Sequence, residues 1–321
     1  MASQGSGEPH HTSRRPSSKA PLQSLLSFRS DGQLSTRRPT EPNPRDRDEL
    51  VRVSKETLSV LPGLLLTRPD ASPDGHLCKD ERVGPLDQNF CPNLPQTRIR
   101  VINADSIDAA VDLAARTSLT KPVCVLNMAN EIRAGGGFRT GALAQEEALC
   151  YRSSLYMTLK SRHYPIPPEA CIYSPTVLVI RENLELGHRL LDCRDPRQLP
   201  VIAVVSAAAV FRPETKQVVA QPGQPPVHVY ANRADRRLMR TKMRIVLRTT
   251  IRNRHRQVVL GALGCGAFQN PPQEVAELWA EVLQEPEFSG GWWEDVVFAV
   301  LSDQKNKNFW WFEKTLEGLQ V

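Results

Sequence analysis

Two adjacent glutamates, Glu146 and Glu147, stand where acid–base chemistry is possible. A run of three glycines, Gly135–Gly137, precedes the triplet Gln145-Glu146-Glu147, with seven residues between them. Apolar residues continue at helical spacing after the triplet, so the glutamates are expected near the start of a helix. A glycine run is costly in chain entropy, and it suits a backbone that must pass close to a ligand. The alternatives are a flexible loop and a solvated glutamate pair that complements the helix dipole.

A second glycine-rich loop, Gly264-Cys265-Gly266-Ala267-Phe268, lies between an apolar run at 258–263 and a predicted helix. We expect Asn270 to cap that helix and Pro271 to be its first residue. Backbone amides and the helix dipole at such a place favour an anion such as a diphosphate. A tight structural turn is the alternative. Phe268 could stack on a sugar or base, or belong to the core.

These two loops need a rigid frame, and the hydropathy pattern after residue 97 predicts one. Strand-like and helix-like segments alternate, and several strands are continuous apolar runs, as in a sheet that is covered on both faces. We therefore predict an α/β fold, namely a three-layer α/β/α sandwich with a mixed sheet over 98–321. The predicted strands are 98–103, 123–127, 171–180, 200–206, 227–230, 258–263 and 296–301; the predicted helices are 106–118, 142–160, 233–251 and 271–283.

The first 97 residues differ in composition from the rest. Residues 1–48 are rich in proline and serine and predict a disordered basic tail, with a transit peptide as the weaker alternative. Residues 49–97 form a predicted N-terminal extension, with a helix over 49–66 and then irregular structure over the proline-rich segment 67–97. This extension is expected to pack on the core.

Composition excludes several classes of protein. The chain has 321 residues, a net charge of +6 and seven cysteines. It has no apolar run long enough to span a membrane, and neither a CxxC pair nor an HExxH motif. The odd cysteine count makes a disulfide framework or a zinc site unlikely on sequence grounds and fits a reducing compartment. We expect an intracellular protein, nuclear or cytoplasmic.

The two loops together resemble the poly(ADP-ribose) glycohydrolases. The Gly-Gly-Gly, seven residues, Gln-Glu-Glu pattern resembles the signature of that family, and the surrounding segment 126–156 is similar to its microbial-type branch. The segments 172–182 and 260–272 resemble that branch as well. The resemblance implies a macrodomain fold that holds ADP-ribose across the strand ends, with neither a cofactor nor a metal. It also implies hydrolysis of the ribose–ribose O-glycosidic bond in poly(ADP-ribose), with reversal of ADP-ribosylation in settings such as the response to DNA damage.

The resemblance also implies roles for individual residues. Glu147 would be the catalytic acid/base and Glu146 would position the substrate. The substrate-binding set would be Asn130, Gly135, Gly136, Gly137, Gln145, Gly264, Cys265, Gly266, Ala267 and Phe268. Glycoside cleavage needs a proton donor for the leaving oxygen and then a base for water, and one carboxyl can serve both steps. Neighbouring helical side chains diverge by about 100°, so one chemical and one orienting carboxylate are expected.

The partners implied are poly(ADP-ribose) or ADP-ribosylated proteins as substrate and ADP-ribose as product, with no membrane and no requirement for nucleic acid. Two rival functions stay open: a non-catalytic module that binds ADP-ribose, and a hydrolase of mono-ADP-ribosyl linkages. The segment 231–257 carries a net charge of +9. It predicts either a solvated helix face or a rail for an anionic polymer.

Overall fold

The computed structural model describes Met1 and residues 44–116, 121–219, 226–302 and 307–321. The chain divides into two compact units, Met1–Glu41 and Pro42–Val321, and Met1 is the described residue of the first. The predicted disorder of residues 2–43 therefore lies outside the described residues. Helix α1 begins at Pro44, so the predicted boundary of the tail at residue 48 falls inside a helix.

A seven-stranded mixed sheet forms the centre of the second unit. The order of its strands is β1-β4-β5-β3-β8-β9-β2. Strands β5, β3, β8, β9 and β2 run parallel to one another, whereas β4 pairs antiparallel with both β1 and β5. The bounds are β1 His76–Lys79, β2 Arg100–Ile102, β3 Cys124–Met128, β4 Ala170–Leu178, β5 Val201–Ala207, β8 Gln257–Leu260 and β9 Asp295–Ala299. The predicted mixed sheet is thus confirmed.

Helices cover both faces of this sheet. On the described part of the chain they are α1 Pro44–Leu66, α2 Asp80–Val83, α3 Ser106–Ala115, α4 Gln145–Arg152, α5 Leu155–Thr158, α6 Arg233–Arg252, α7 Pro272–Leu283 and α8 Asn308–Leu316. Two of the helices begin with a side-chain cap: the side chains of Asp105 and Asn232 accept hydrogen bonds from the first-turn amides of α3 and α6.

Two hydrophobic cores separate the three layers. Alternate residues of β3 point to opposite faces, so Cys124 and Leu126 join one core while Val125 joins the other. The first core also takes buried residues from α6, α7 and α8, and the second takes them from α1, α3 and α4. This arrangement confirms the predicted α/β/α sandwich.

The helix predicted over 142–160 is interrupted at Ser153. Its Oγ donates to the carbonyl of Leu149 at 2.6 Å and accepts from the amide of Leu155 at 3.2 Å. The Oγ of Ser154 accepts from the amide of Leu178 in β4 at 2.9 Å. Serine hydroxyls that bond to nearby backbone compete with the helical ladder. The chain therefore leaves the helix after Arg152 and resumes it in α5 at Leu155.

The structure differs from the sequence prediction in three further places. The segment 67–97 contains β1, which pairs with β4, and is not wholly irregular. The strand predicted at 227–230 is β7 (Val227–Tyr230), but it pairs with β6 (Thr215–Val218) in a separate two-stranded sheet. Helix α8 was not predicted.

The basic segment is helix α6, and four of its arginines are ion-paired. Arg236 and Arg240 pair with Glu281, Arg244 pairs with Glu285 at 2.8 Å, and Arg248 pairs with Glu287 at 2.7 Å. All three of these glutamates lie on α7 or just after it, so the arginines join α6 to α7 and the segment that follows it. The charges of these four side chains are therefore compensated within the protein, while both interpretations of the whole segment stay predictions.

Candidate active site

Helix α4 is fixed to the end of strand β3 by the side chain of Gln145. Its Oε1 accepts from the amide of Met128 at 2.9 Å, and its Nε2 donates to the carbonyl of Leu126 at 2.8 Å and to Ser106 at 3.2 Å. Both the oxygen and the nitrogen of the Gln145 side chain are therefore hydrogen-bonded within the protein. These contacts favour a positioning role for Gln145 over the substrate-binding role predicted from the sequence.

Glu146 is held from several sides beneath the first loop and is almost completely buried. Its Oε2 accepts from the amide of Asn130 at 2.7 Å, and its Oε1 lies 3.5 Å from the Nδ2 of Asn127. Burial raises the pKa of Glu146 to about 8, and the nearby charge of Glu147 adds to this shift, whereas the accepted hydrogen bonds oppose it. The pair of carboxyls can therefore retain a proton near neutral pH.

Glu147 has a different set of contacts. Its Oε1 accepts from the amide of Gly137 at 2.7 Å. Its Oε2 accepts no hydrogen bond from any residue that the structure describes. One oxygen is thus fixed by the glycine run while the other is open to a ligand. This is the arrangement that a proton donor needs, because the transferred proton must be accessible.

The glycine run approaches the two carboxylates so closely that no side chain would fit. A Cβ on Gly136 would lie 2.4 Å from the Oε1 of Glu147 and 3.1 Å from the Oε2 of Glu146. Gly136 has a φ of 55°, a left-handed conformation that glycine adopts without strain. A Cβ on Gly135 would lie 2.7 Å from the ring of Tyr156. Both glutamates therefore converge on Gly136, although adjacent helical side chains leave the helix in different directions.

Asn130 shapes the first loop as well as lining it. Its Oδ1 accepts from the amides of Ile132 and Arg133, both at 2.9 Å. A ribose hydroxyl could therefore be bound through the Nδ2 of Asn130. The substrate contact of Asn130 stays a prediction.

The second loop presents backbone donors that have no partner. Among the described residues, no acceptor receives the amides of Gly266, Ala267 or Phe268, and Gly266 and Ala267 are exposed. Gly264 has a φ of 77°, and a Cβ there would lie 2.4 Å from the Cβ of Ala209. Successive unpaired amides form a concave site for anions. The loop therefore has the groups that a diphosphate would require.

The start of helix α7 differs from the prediction. The helix begins at Pro272, and Asn270 does not cap it. Instead the Nδ2 of Asn270 donates to the carbonyl of Val210 at 2.7 Å, and its Oδ1 accepts from the hydroxyl of Tyr230 at 2.8 Å. Asn270 thus ties the second loop to the segment after β5. Pro271 and Pro272 carry no amide hydrogen, so the candidate donors for an anion at this place are the loop amides.

An aromatic pair lies beside the second loop, and sequence reasoning found only half of it. The rings of Phe211 and Phe268 meet edge to face with centroids 5.0 Å apart. Phe211 is 55% exposed, and Phe268 is half-buried. The position of Phe211 in the sequence could have identified it, because it closely follows the carboxyl end of β5, and ligands bind at such strand ends in open α/β sheets.

The remaining candidates are placed as follows. The thiol of Cys265 is buried, and burial raises its pKa. Its backbone amide already donates to the carbonyl of Ala262 at 3.0 Å, so its substrate contact stays a prediction. Within the described ranges, no group of histidine, cysteine, aspartate and glutamate side chains is arranged to hold a metal ion. None of the described helices is long and apolar enough to cross a membrane.

Comparison with known proteins agrees with the resemblance seen in the motifs. Residues 87–182 match the family model of the microbial-type PARG catalytic domain. That segment contains the first glycine loop and both glutamates. No curated protein sequence matches the chain significantly. The resemblance to the microbial-type family is thereby confirmed.

Solved structures of bacterial enzymes share the fold over most of the chain. One is the poly(ADP-ribose) glycohydrolase of Thermomonospora curvata bound to the inhibitor ADP-HPD, with 26% identity, a TM-score of 0.64, and coverage of 84% of this chain and 99% of that one. Another is the poly(ADP-ribose) glycohydrolase of Deinococcus radiodurans in complex with ADP-ribose, with 26% identity, a TM-score of 0.61, and coverage of 80% and 98%.

Proposed function

We propose that this chain is a microbial-type poly(ADP-ribose) glycohydrolase, which hydrolyses the ribose–ribose O-glycosidic bond and releases ADP-ribose. The observation that carries the proposal is the carboxylate pair of Glu146 and Glu147 packed against Gly136, with one oxygen of Glu147 left open. The similarity to bacterial enzymes of this activity supports it independently.

In the proposed mechanism Glu147 serves in both chemical steps. A proton on its Oε2 passes to the leaving ribose oxygen as the bond to the anomeric carbon breaks. Water then attacks the anomeric carbon, and its proton returns to Glu147. The amide of Gly137 fixes the other oxygen of Glu147 during both steps. The anomeric centre must therefore sit beside the glycine run, within reach of Oε2.

Glu146 and the loops hold the substrate in this proposal. Glu146 orients a hydroxyl of the distal ribose, with its own position set by the amide of Asn130. The amides of Gly266, Ala267 and Phe268 bind the diphosphate. The aromatic pair of Phe211 and Phe268 packs against the sugar or the base. Positioning of this kind contributes to rate by presenting the bond in a reactive geometry.

The test is hydrolysis of defined poly(ADP-ribose) by wild type and Glu147→Gln. We expect wild type to release ADP-ribose and the variant to lose about 10²- to 10⁴-fold in kcat, the usual contribution of a general acid–base. Glu185→Gln on the exposed surface is the matched control and should retain wild-type kcat.

Two outcomes would replace the proposal by its rivals. Calorimetric binding of ADP-ribose without hydrolysis of any substrate would identify a binding module. Release of ADP-ribose from mono-ADP-ribosylated protein, but not from polymer, would identify a mono-ADP-ribosyl hydrolase.

A further inference from the structure

Two arginines without ion-pair partners flank the glycine run. Arg133 lies two residues before Gly135, and Arg139 lies two residues after Gly137. Both side chains are exposed, and among the described residues no carboxylate pairs with either. The amide of Gly136 donates to the carbonyl of Arg133 at 3.0 Å, so Arg133 belongs to the same tight turn as the glycines.

This arrangement contrasts with the arginines of helix α6. There Arg236, Arg240, Arg244 and Arg248 are all paired with glutamates. Glu131, the acid nearest in sequence to Arg133, acts electrostatically on Lys242 instead. Arg133 and Arg139 are thus exposed arginines with no carboxylate partner among the described residues, and both flank the glycine run.

The distal ADP-ribose unit does not need these charges for its own diphosphate. That diphosphate has the unpaired amides of the second loop, on Gly266, Ala267 and Phe268. The glycine run instead lies against the carboxylates that would act on the scissile bond. Arg133 and Arg139 are exposed on either side of this run in the sequence, so their charges are available to the group on the other side of that bond. In a polymer, this is the next ADP-ribose unit, which carries two phosphate charges.

We infer that Arg133 and Arg139 form a binding site for the diphosphate of the ADP-ribose unit on the leaving side of the scissile bond. The inference rests on the proposed function. It assigns the preference for polymer to the first loop rather than to helix α6. A substrate that ends in a single ADP-ribose gains nothing from this site, because its leaving group has no diphosphate.

The test compares Arg133→Gln/Arg139→Gln with wild type on defined poly(ADP-ribose). We expect KM for polymer to rise about tenfold at low salt. The dependence of log KM on log salt should weaken by about 0.7 for each lost phosphate contact, as for single-stranded polyanions. The calorimetric Kd for free ADP-ribose should stay within about twofold, because that ligand occupies only the distal site.

The matched control is Arg233→Gln/Arg237→Gln, which removes two exposed charges from the start of α6. It changes net charge equally and should leave KM and its salt dependence at the wild-type values. If both double variants raise KM alike, the effect is one of net charge and the inference is overturned.

Two other results would overturn it. One is a wild-type KM and salt dependence in the Arg133/Arg139 variant. The other is an equal loss of affinity for free ADP-ribose, which would assign the arginines to the distal unit. Failure of the proposed function is distinguishable from these, because wild type itself would then release no ADP-ribose from polymer.

Discussion

Both carboxylate oxygens of Glu146 have amide groups close to them, one from the side chain of Asn127 and one from the backbone of Asn130. Among the described residues, only one oxygen of Glu147 has a partner, which is the backbone amide of Gly137. The two glutamates are adjacent in sequence, but they differ in how many of their oxygens are free to contact a ligand. The first is fixed and strongly desolvated. The second keeps an oxygen for chemistry. The difference arises from the glycine run, whose amide at Gly137 reaches only Glu147.

The raised pKa of Glu146 predicts a pH-dependent stability. In the unfolded chain the glutamate titrates near its ordinary 4.5, and in the folded protein near 8. Between these values the folded state holds more protons, so the free energy of unfolding decreases as pH rises through this window. Glu146→Gln lacks the titration. We expect its unfolding free energy, relative to wild type, to increase by about 1 kcal/mol per pH unit from pH 5 to 8.

Chemical denaturation at several pH values measures this effect. Glu185→Gln, on the exposed surface, should follow the wild-type curve. Parallel curves for wild type and Glu146→Gln would contradict the raised pKa.

Gln145 marks the limit of residue-scale prediction from sequence. The motif placed Gln145 beside the two glutamates, and the structure brings all three together at the start of α4. Its hydrogen bonds to Met128 and Leu126 depend on how the helix meets the strand, which no local pattern encodes. Residue type and spacing could therefore nominate Gln145 for the site but could not separate binding from positioning.

At the scale of elements, the tri-glycine loop must keep its backbone against the carboxylates. A methyl group at position 136 would meet Glu147 at 2.4 Å, so Gly136→Ala must displace either the carboxylate or the loop. We expect a loss of about 10²-fold in kcat on polymer, because shifts of about 1 Å in catalytic geometry have effects of this size.

Gly187→Ala is the control for backbone strain. Gly187 also has a positive φ, 73°, but a Cβ there would meet nothing within 4 Å. Both variants should lose about 1–2 kcal/mol of stability from the left-handed conformation, while only Gly136→Ala loses kcat. Denaturation and steady-state kinetics measure the two quantities. A Gly136→Ala enzyme with wild-type kcat would show that the close approach is dispensable.

The central parallel strands were predictable, and the periphery was not. Strands β3 and β8 are buried on both faces and therefore read as continuous apolar runs. Strand β1 has four residues in a proline-rich segment, and its existence depends on pairing with β4. Such an edge strand is specified by its partner rather than by its own sequence. The break at Ser153 likewise depends on side-chain bonds to backbone.

At the scale of the whole molecule, the positive charge available to a ligand depends on which basic side chains have acidic partners. The most basic segment of the sequence, 231–257, meets glutamates on and after α7. Such partly exposed pairs contribute about 0–1 kcal/mol each. Their larger effect is to compensate four of the ten basic residues that this segment carries. What remains available to a polyanion is decided by which arginines lack a partner.

The N-terminal extension is the part of the molecule whose removal should be most informative. Helix α1 buries Leu50, Val53 and Leu61, and the Oγ1 of Thr57 donates to the carbonyl of Tyr151 in α4 at 2.9 Å. Strand β1 covers the free edge of β4. The extension thus supports both helix α4 and the edge of the sheet.

We therefore predict opposite outcomes for two truncations. Removal of residues 1–41 leaves the compact unit Pro42–Val321 intact, and kcat should stay within about twofold of wild type. Removal of residues 1–97 uncovers apolar surface and leaves Arg181 without Thr57 and Glu56, to which it donates at 2.8 and 2.7 Å. We expect this protein to aggregate, because an unpaired strand edge and a buried charge without its partner are both unfavourable. Size-exclusion chromatography and polymer hydrolysis measure the result. A monomeric, active chain beginning at residue 98 would show instead that the sandwich is self-sufficient and that α1 is an accessory.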